Sequence, residues 1–389
     1  INGGTSAGTI TVGKEGIGIY GADNSIIENK ANGTINIGSK GVGIIGANNL
    51  TGNPNKSKKI NITNEGKIEA TDSAGEKTIG IYADNTEPSL TPSTDSVIDH
   101  KNGGIIDLSK SKGSLGIYAG RSLLKSNGIV TVGDESAGIK GKDALIEINN
   151  SSAAIDIGKK SIGVVLENFG KGTSPAGYFN GQDGKINITG AGSVAYYVDN
   201  SELNSSNSSV VKGFNDNLSV IDNGNAYTYI FAKNGSMLNY DSSLTSAGAA
   251  PKQIQTDKSV FINAKDSTVN LGTGNKIESS KNEVIAVYSN NGAATNKGTI
   301  TLNGNKSVAL YGENSGALVN EKDITVNTNG VAFYNKGATT ATNRGANSKI
   351  TLLGDYGIGM RSDTASGDSL NEGKIESTKL RAIGMSASN

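Results

Sequence analysis

The sequence has no cysteine and no tryptophan, one histidine (His100) and five prolines in 389 residues. Without cysteine there is no disulfide, no thiolate nucleophile and no cysteine-based zinc or iron–sulfur site. A single histidine leaves little from which to build a multi-histidine metal site or a His-dependent triad. Neither a metal nor a cofactor is therefore expected. Thirty-six basic and thirty-six acidic residues cancel. A neutral chain has no electrostatic footprint for a phosphate backbone, so nucleic acid is not an expected partner. No apolar run approaches the ~20 residues that a membrane-spanning helix needs. So few prolines, with no Gly-X-Y register, exclude a Pro-rich linker and collagen. Ile1 is not a start methionine and no signal peptide opens the chain, which reads as an internal fragment.

In their place stand 54 glycines and 46 asparagines. That is the composition of a chain full of turns, and the turns are periodic. A small turn residue is followed by Ile-x-Ile or an equivalent, whose first apolar residue falls at Ile10, Ile35, Ile68, Ile106, Val130, Ile155 and Ile186, and again at Ile300, Ile324, Ile350 and Ile375. The regular steps are 24 to 26 residues; wider ones carry insertions. Seven to eleven residues later comes a second motif, apolar–small–apolar–aromatic or apolar, as in Ile17-Gly18-Ile19-Tyr20, Ile79-Gly80-Ile81-Tyr82 and Val308-Ala309-Leu310-Tyr311. A weaker third run, such as Ile26-Ile27 or Leu318-Val319, precedes the next asparagine turn. Both main motifs alternate with period two, the strand period.

Three short strands in about 25 residues cannot bury a core alone. Stacked on like neighbours they can, each strand pairing in parallel above and below. The fold expected is an all-β parallel β-helix (β-solenoid), three strands to a coil, with loop insertions. Leucine-rich repeats, propeller blades and calcium β-rolls lack their signatures here. The chain is read as one domain over 1–389. Within it 201–275 is either about three degenerate coils or an insertion. Further breaks run from Asn48 to Lys59, Asn85 to Lys101 and Glu167 to Asp183.

Motifs of catalysis find no support. Gly4-Thr5-Ser6-Ala7-Gly8 matches Gly-x-Ser-x-Gly but is followed by a strand pattern, where a nucleophile elbow needs a helix. Gly367-Asp368-Ser369-Leu370 spells an esterase signature, yet no histidine follows it. Acidic residues such as Asp107, Glu147 and Asp156 alternate with apolar ones, as solvated outward positions do, and no carboxylate pair for glycoside hydrolysis stands out. The chain is not expected to be an enzyme.

Tyrosine recurs at the end of the second motif, at Tyr20, Tyr82, Tyr118, Tyr197, Tyr288, Tyr311 and Tyr334. Alternation points these rings outward, either as a ladder of stacked rings or as a platform for a ligand. The asparagines of the turns are read as left-handed corners and amide ladders. Other aromatics sit in the breaks. Phe169, Tyr178, Phe179, Tyr227 and Tyr229 are the candidate ligand-binding residues, because exposed aromatics suit sugar stacking and protein hot spots. The competing reading is that they plug wider coils.

Segments such as Gly33-Thr34-Ile35-Asn36-Ile37-Gly38, Gly41-Val42-Gly43-Ile44 and Asn371-Glu372-Gly373-Lys374-Ile375 resemble type V autotransporter passengers. They are similar, more narrowly, to the large outer-membrane autotransporter adhesins of fusobacteria. The resemblance implies a right-handed β-helix at the bacterial cell surface, held at the outer membrane by a C-terminal β-barrel absent from this chain. It also implies attachment to a host-cell glycan or receptor, or to another bacterium. Lack of cysteine agrees with secretion of an unfolded chain through a pore. A passive stalk presenting a distal tip is the alternative function, and a carbohydrate-active β-helix enzyme a remoter one.

Overall fold

A computed structural model of the chain describes residues 1–47, 59–72, 75–85, 93–170, 177–205, 212–245, 251–337, 339–363 and 367–388. Strands make up 62% of it and helix about 1%. The chain divides into two compact units. Unit 1 comprises Ile1–Tyr197 with Ser208–Asn225, and unit 2 comprises Val198–Asn207 with Ala226–Asn389.

In unit 1 the Ile-x-Ile strands stack in parallel and in register. Ile10 pairs with Ile35, then Ile68, Ile106, Val130, Ile155, Ile186 and Val220 follow in one column. Ile35, Ile68, Ile106, Val130 and Ile186 are wholly buried, and Ile155 nearly so. Ile10, in the first coil, is half-buried. The second motif forms its own ladder, with Ile19, Ile44, Ile81, Ile117, Ile139 and Val164 as the inward column. The third run supplies the last wall through Ile27, Ile62, Ile98, Leu124, Ile146, Phe179 and Phe214. Unit 2 repeats the plan: Ile277, Ile300, Ile324, Ile350 and Ile375 in one column, and Ile230, Ile262, Val287, Leu310, Phe333, Met360 and Met385 in another. Parallel strands, three to a coil, with the branched aliphatic residues inside, are the expected β-helix.

Simple alternation fails at one place in each coil. In the second motif two successive residues are buried, as at Gly80 and Ile81. The chain bends there, and the small residue faces the Ile-x-Ile column. A Cβ on Gly80 would lie 2.6 Å from Ile106 Cγ2 and 2.5 Å from the Gly116 carbonyl, so the slot has no room for one. In unit 2 the same slot accepts the methyl of Ala286, Ala309 and Ala332.

Three corners close each coil, and each has its own chemistry. Before the second motif the backbone turns through a left-handed residue, and in several coils it is lysine or glutamate: Lys40, Lys77, Glu135 and Lys160 in unit 1, and Lys258, Glu283 and Lys306 in unit 2, with φ between 53° and 61°. Such a conformation is disfavoured for these residues. Its amide is nevertheless bonded to the next coil, as Lys77 to the Lys112 carbonyl (2.8 Å) and Glu283 to that of Asn305 (2.8 Å). A buried serine comes next. The Ser114 amide donates to Ser136 Oγ (2.8 Å), Ser136 to Ser161 (3.0 Å) and Ser161 to Ser193 (3.1 Å). After the second motif the left-handed residue is commonly Asn or Asp, such as Asp143, Asn168, Asn234, Asp266 and Asn291, whose side chains tolerate it best.

At the third corner a side-chain amide points inward. In unit 2 Asn296 Nδ2 donates to Asn320 Oδ1 (2.8 Å), Asn320 to Asn343 (2.9 Å) and Asn343 to Asn371 (2.7 Å). Asn320 also donates to the Lys322 carbonyl at 2.7 Å, tying the turn behind it. Unit 1 carries the same ladder from Asn2 through Asn29 to Asn64.

Two substitutions test these contacts. Ile155→Asp puts an unpaired carboxylate between Val130 and Ile186, and is expected to destabilise by on the order of 4 kcal/mol. Thermal unfolding at the wild-type midpoint would show that Ile155 is not interior. Asn320→Leu strands one Nδ2 and one Oδ1 in neighbouring coils, a loss of roughly 2–4 kcal/mol. A drop in urea midpoint no larger than for an outward Thr325→Ala would mean that the amides contribute little.

Candidate binding surfaces

The five aromatics expected to form a ligand surface lie mostly inside. Phe169 is fully buried, its ring in the space that Gly141 leaves empty, 3.0 Å from where a Cβ would stand. Phe179 is fully buried in the third-wall column between Ile146 and Phe214. It meets Tyr196 edge-on at 5.5 Å and Phe214 at 5.8 Å. Tyr227 is 6% and Tyr229 5% exposed. Tyr229 stacks on Phe261 at 4.9 Å, both rings occupying the slot that holds Gly or Ala in regular coils. These four therefore fill the interior of the coils, which corrects the expectation that they are exposed. Tyr178 alone reaches the surface, half-buried, its hydroxyl donating to Glu147 Oε1 (2.6 Å).

Five of the tyrosines of the second motif point outward and form ladders. Tyr82 and Tyr118 stack at 4.7 Å in unit 1, and Tyr311 and Tyr334 at 4.8 Å in unit 2, where Tyr288 meets Tyr311 edge-on. Arg361 caps the second series, its guanidinium 5.1 Å from the Tyr334 ring centre. Carboxylates anchor the hydroxyls: Tyr288 donates to Glu313 and Tyr334 to Asp363 (2.7 Å). Burial, and then the bond to Glu313, push the Tyr288 phenol up to about 12. For Tyr334 the bond to Asp363 acts first and burial second, again upward. Asp363 is held far below the usual carboxylate range by Arg361, and by Ser388 and Tyr334 after it. The stacked rings thus cover one another, and the hydroxyls of Tyr82, Tyr288 and Tyr334 are fixed by carboxylates.

His100 does not lie in an insertion. It ends the strand Ser93–His100, fully buried, in the corner slot that Asn64 fills one coil earlier. Its Nδ1 accepts from Asn64 Nδ2 (3.1 Å) and its Nε2 donates to the Ile129 carbonyl (3.2 Å), which defines the neutral tautomer. Burial lowers its pKa from 6.5 to about 4, against smaller upward effects of its hydrogen bonds and Asp99. The signal was present in Val97-Ile98-Asp99-His100, which repeats the apolar–polar–corner order of Ile62-Thr63-Asn64.

Unit 2 carries a groove of ≈ 720 Å³. Its floor is a column of outward side chains on successive coils, Asn204, Asn239, Asn270 and Thr295. The amides form a ladder, Asn239 Nδ2 to Asn204 Oδ1 at 2.6 Å and Asn270 Nδ2 to Asn239 Oδ1 at 2.8 Å. On one side stands the short helix Ser242–Thr245, held by Asp241, whose Oδ1 accepts from the Ser243 amide and hydroxyl and whose Oδ2 accepts from the Gly274 amide. Beyond the floor are Lys297, Glu321 and Arg344, with Glu321 3.3 Å from Arg344 and 3.8 Å from Lys297.

The groove has a local cause. The corner slot occupied by Asn296, Asn320, Asn343 and Asn371 is held by Tyr240 and Leu271 in the two preceding coils. Leu271 has no amide to tie the turn behind it, and after Tyr240 the chain enters the helix instead. After Leu271 comes Gly272, where the equivalent positions carry Lys297, Glu321 and Arg344. A missing amide and a missing side chain together leave the recess.

No group of three metal-ligating side chains gathers among the described residues. Compared with protein-family models, with curated proteins and with solved structures, the chain matches none of them.

The buried histidine sets an acid sensitivity. The folded protein keeps the ring neutral down to about pH 4, whereas the unfolded chain takes up its proton near pH 6.5. The contribution of this rung is complete above pH 6.5 and is lost as pH falls from there toward 4, by about 3 kcal/mol at most. His100→Asn restores the usual corner residue and removes the titrating ring. Its urea midpoint is expected to fall less between pH 7 and pH 4.5 than that of the wild type, and equal slopes would refute the assignment.

Proposed function

We propose that the chain is a surface-displayed passenger segment of a bacterial adhesin, a β-helix that attaches the cell to host-surface glycans or receptors or to other bacteria. The observation that carries this reading is the groove in unit 2. It opens where the repeat departs from its own pattern, within the stretch 201–275. In coils that keep the pattern, outward side chains such as Tyr311 and Tyr334 stack on their counterparts in the next coil; a break with a shaped, polar recess supplies something to recognise. The resemblance to autotransporter passengers adds the setting, an outer-membrane β-barrel carrying the chain. Binding needs no catalytic group, and the sole histidine is committed to the corner ladder.

A stalk that only separates a distal tip from the membrane is the second reading. What favours it is the unbroken register of five strands from Lys276–Ser279 to Lys374–Ser377. Beads bearing the purified chain distinguish the two when exposed to epithelial cells and to other bacteria. An adhesin gives attachment several-fold above uncoated beads on at least one surface. Attachment to neither leaves the stalk.

A further inference from the structure

The groove in unit 2 has a chemistry that narrows its occupant. Asn239 and Asn270 each use one Nδ2 hydrogen in the ladder, and the Asn239 oxygen one lone pair. An amide has two of each. Every rung therefore offers a further N–H and a further lone pair side by side, repeated at the strand spacing of about 4.8 Å. A phosphate, which only accepts, uses half of that set. An extended peptide laid along the column advances about 3.3 Å per residue and drifts out of step with the rungs. A pyranose is about as long as the rung spacing, and its vicinal hydroxyls both donate and accept.

The walls add two features. Leu244, 48% exposed, gives an apolar patch beside the amides. At the other end Lys297 and Arg344 share the single carboxylate of Glu321, leaving one net positive charge. Both cationic side chains are about half exposed (50% and 54%), so they can turn to a ligand. Among the described residues the one aromatic that lines the groove is Tyr240, whose side chain is fully buried. Recognition there runs through amides and one charge, without ring stacking.

We propose that this groove binds a linear acidic oligosaccharide lying across the coils, with successive sugars on Asn204, Asn239 and Asn270 and a carboxylate at Lys297 and Arg344. The assignment rests on the adhesin reading for its biological setting but not for its chemistry. An unsulfated uronate chain is the fitting probe, since one net charge suits widely spaced carboxylates better than a dense polyanion.

The test is calorimetric titration of the purified chain with a hyaluronan hexasaccharide, and with cellohexaose as the neutral counterpart. The acidic sugar is expected to bind at least tenfold more tightly. Asn239→Val with Asn270→Val removes the outward amides. Val319 already stands in that column two coils beyond Asn270, so the fold tolerates the side chain. The double variant should lose binding at least tenfold with an unchanged thermal midpoint. Lys297→Gln with Arg344→Gln should abolish the preference for the acidic sugar. If the Val variant misfolds, side-chain amide NMR signals of Asn239 and Asn270 in the wild type give the same answer by shifting on titration. No binding of the hexasaccharide, or binding that leaves those amides unmoved, overturns the inference. Adhesion by the chain despite that result would leave the adhesin reading standing, whereas sugar binding without adhesion would remove the adhesin reading alone.

Discussion

In a stack of parallel coils, the nearest partner of any side chain is its own equivalent one strand above or below. That constraint decides which polar groups the interior can hold. A buried polar atom must be hydrogen-bonded, so the residue chosen must bond to a copy of itself. A side-chain amide does this, because it donates and accepts, and Asn296, Asn320 and Asn343 form such a chain. A serine does it through the backbone, its oxygen accepting the amide of the preceding coil, as from Ser114 to Ser193. A neutral imidazole also qualifies, with one nitrogen of each kind, which is how His100 occupies an asparagine slot. A carboxylate or an ammonium repels its copy, and several outward charges meet the opposite sign one coil on, as Lys258 does Glu283 and Lys336 does Glu313.

Volume obeys the same rule. In most coils the column residues are Ile, Val and Leu, joined in unit 2 by Phe333 and Met360, and the bend usually carries Gly or Ala. In other coils the space is filled by aromatic rings: Phe179, Tyr196 and Phe214 in unit 1, and Tyr229, Tyr240 and Phe261 in unit 2. Close packing leaves little alternative, since a void of that size forfeits both transfer and contact energy. Aromatic residues in a break therefore mark the inside of an irregular coil, and the surface of that coil is made by the polar residues between them.

This explains which parts of the structure were legible in the sequence. The period of 24 to 26 residues and the two-residue alternation give the stacking, the register and the inward columns, because both depend on local spacing alone. Tyr82–Tyr118 and Tyr311–Tyr334 follow by the same logic. The plugs did not follow, since alternation tells which side of a strand a residue faces and says nothing of how wide the coil is. The serine corner was visible as Ser114, Ser136, Ser161, Ser193, Ser259 and Ser307 at a fixed offset before the second motif, but serine is common in turns and the offset carries no hydropathy. The asparagines were read as one class, yet they serve in three places: left-handed corners such as Asn291, buried rungs such as Asn320, and outward rungs such as Asn239. Only the phase within the repeat separates these, and the phase is lost between Ser201 and Asn275, where the groove lies.

A perfect repeat and a specific binding site are physically opposed. Identical coils present the same surface at every level, so a ligand that fits one position fits all of them, and no single position is preferred. Selectivity requires a local defect that the stack can absorb. In unit 2 the defect is two substitutions at one corner, Tyr240 and Leu271 for asparagine, and one deletion of side chain at Gly272. The stack absorbs it because the exchanged residues are still inward, still in register with Asn296, and large enough to fill the corner. The turn behind them, released from its amide, is retied from outside by Asp241. The ladder of Asn204, Asn239 and Asn270 then runs beneath the recess, and its rungs keep the spacing of the fold. On the proposed reading the recess takes its shape from the defect and its periodicity from the repeat, which is why a ligand that is itself a polymer would suit it.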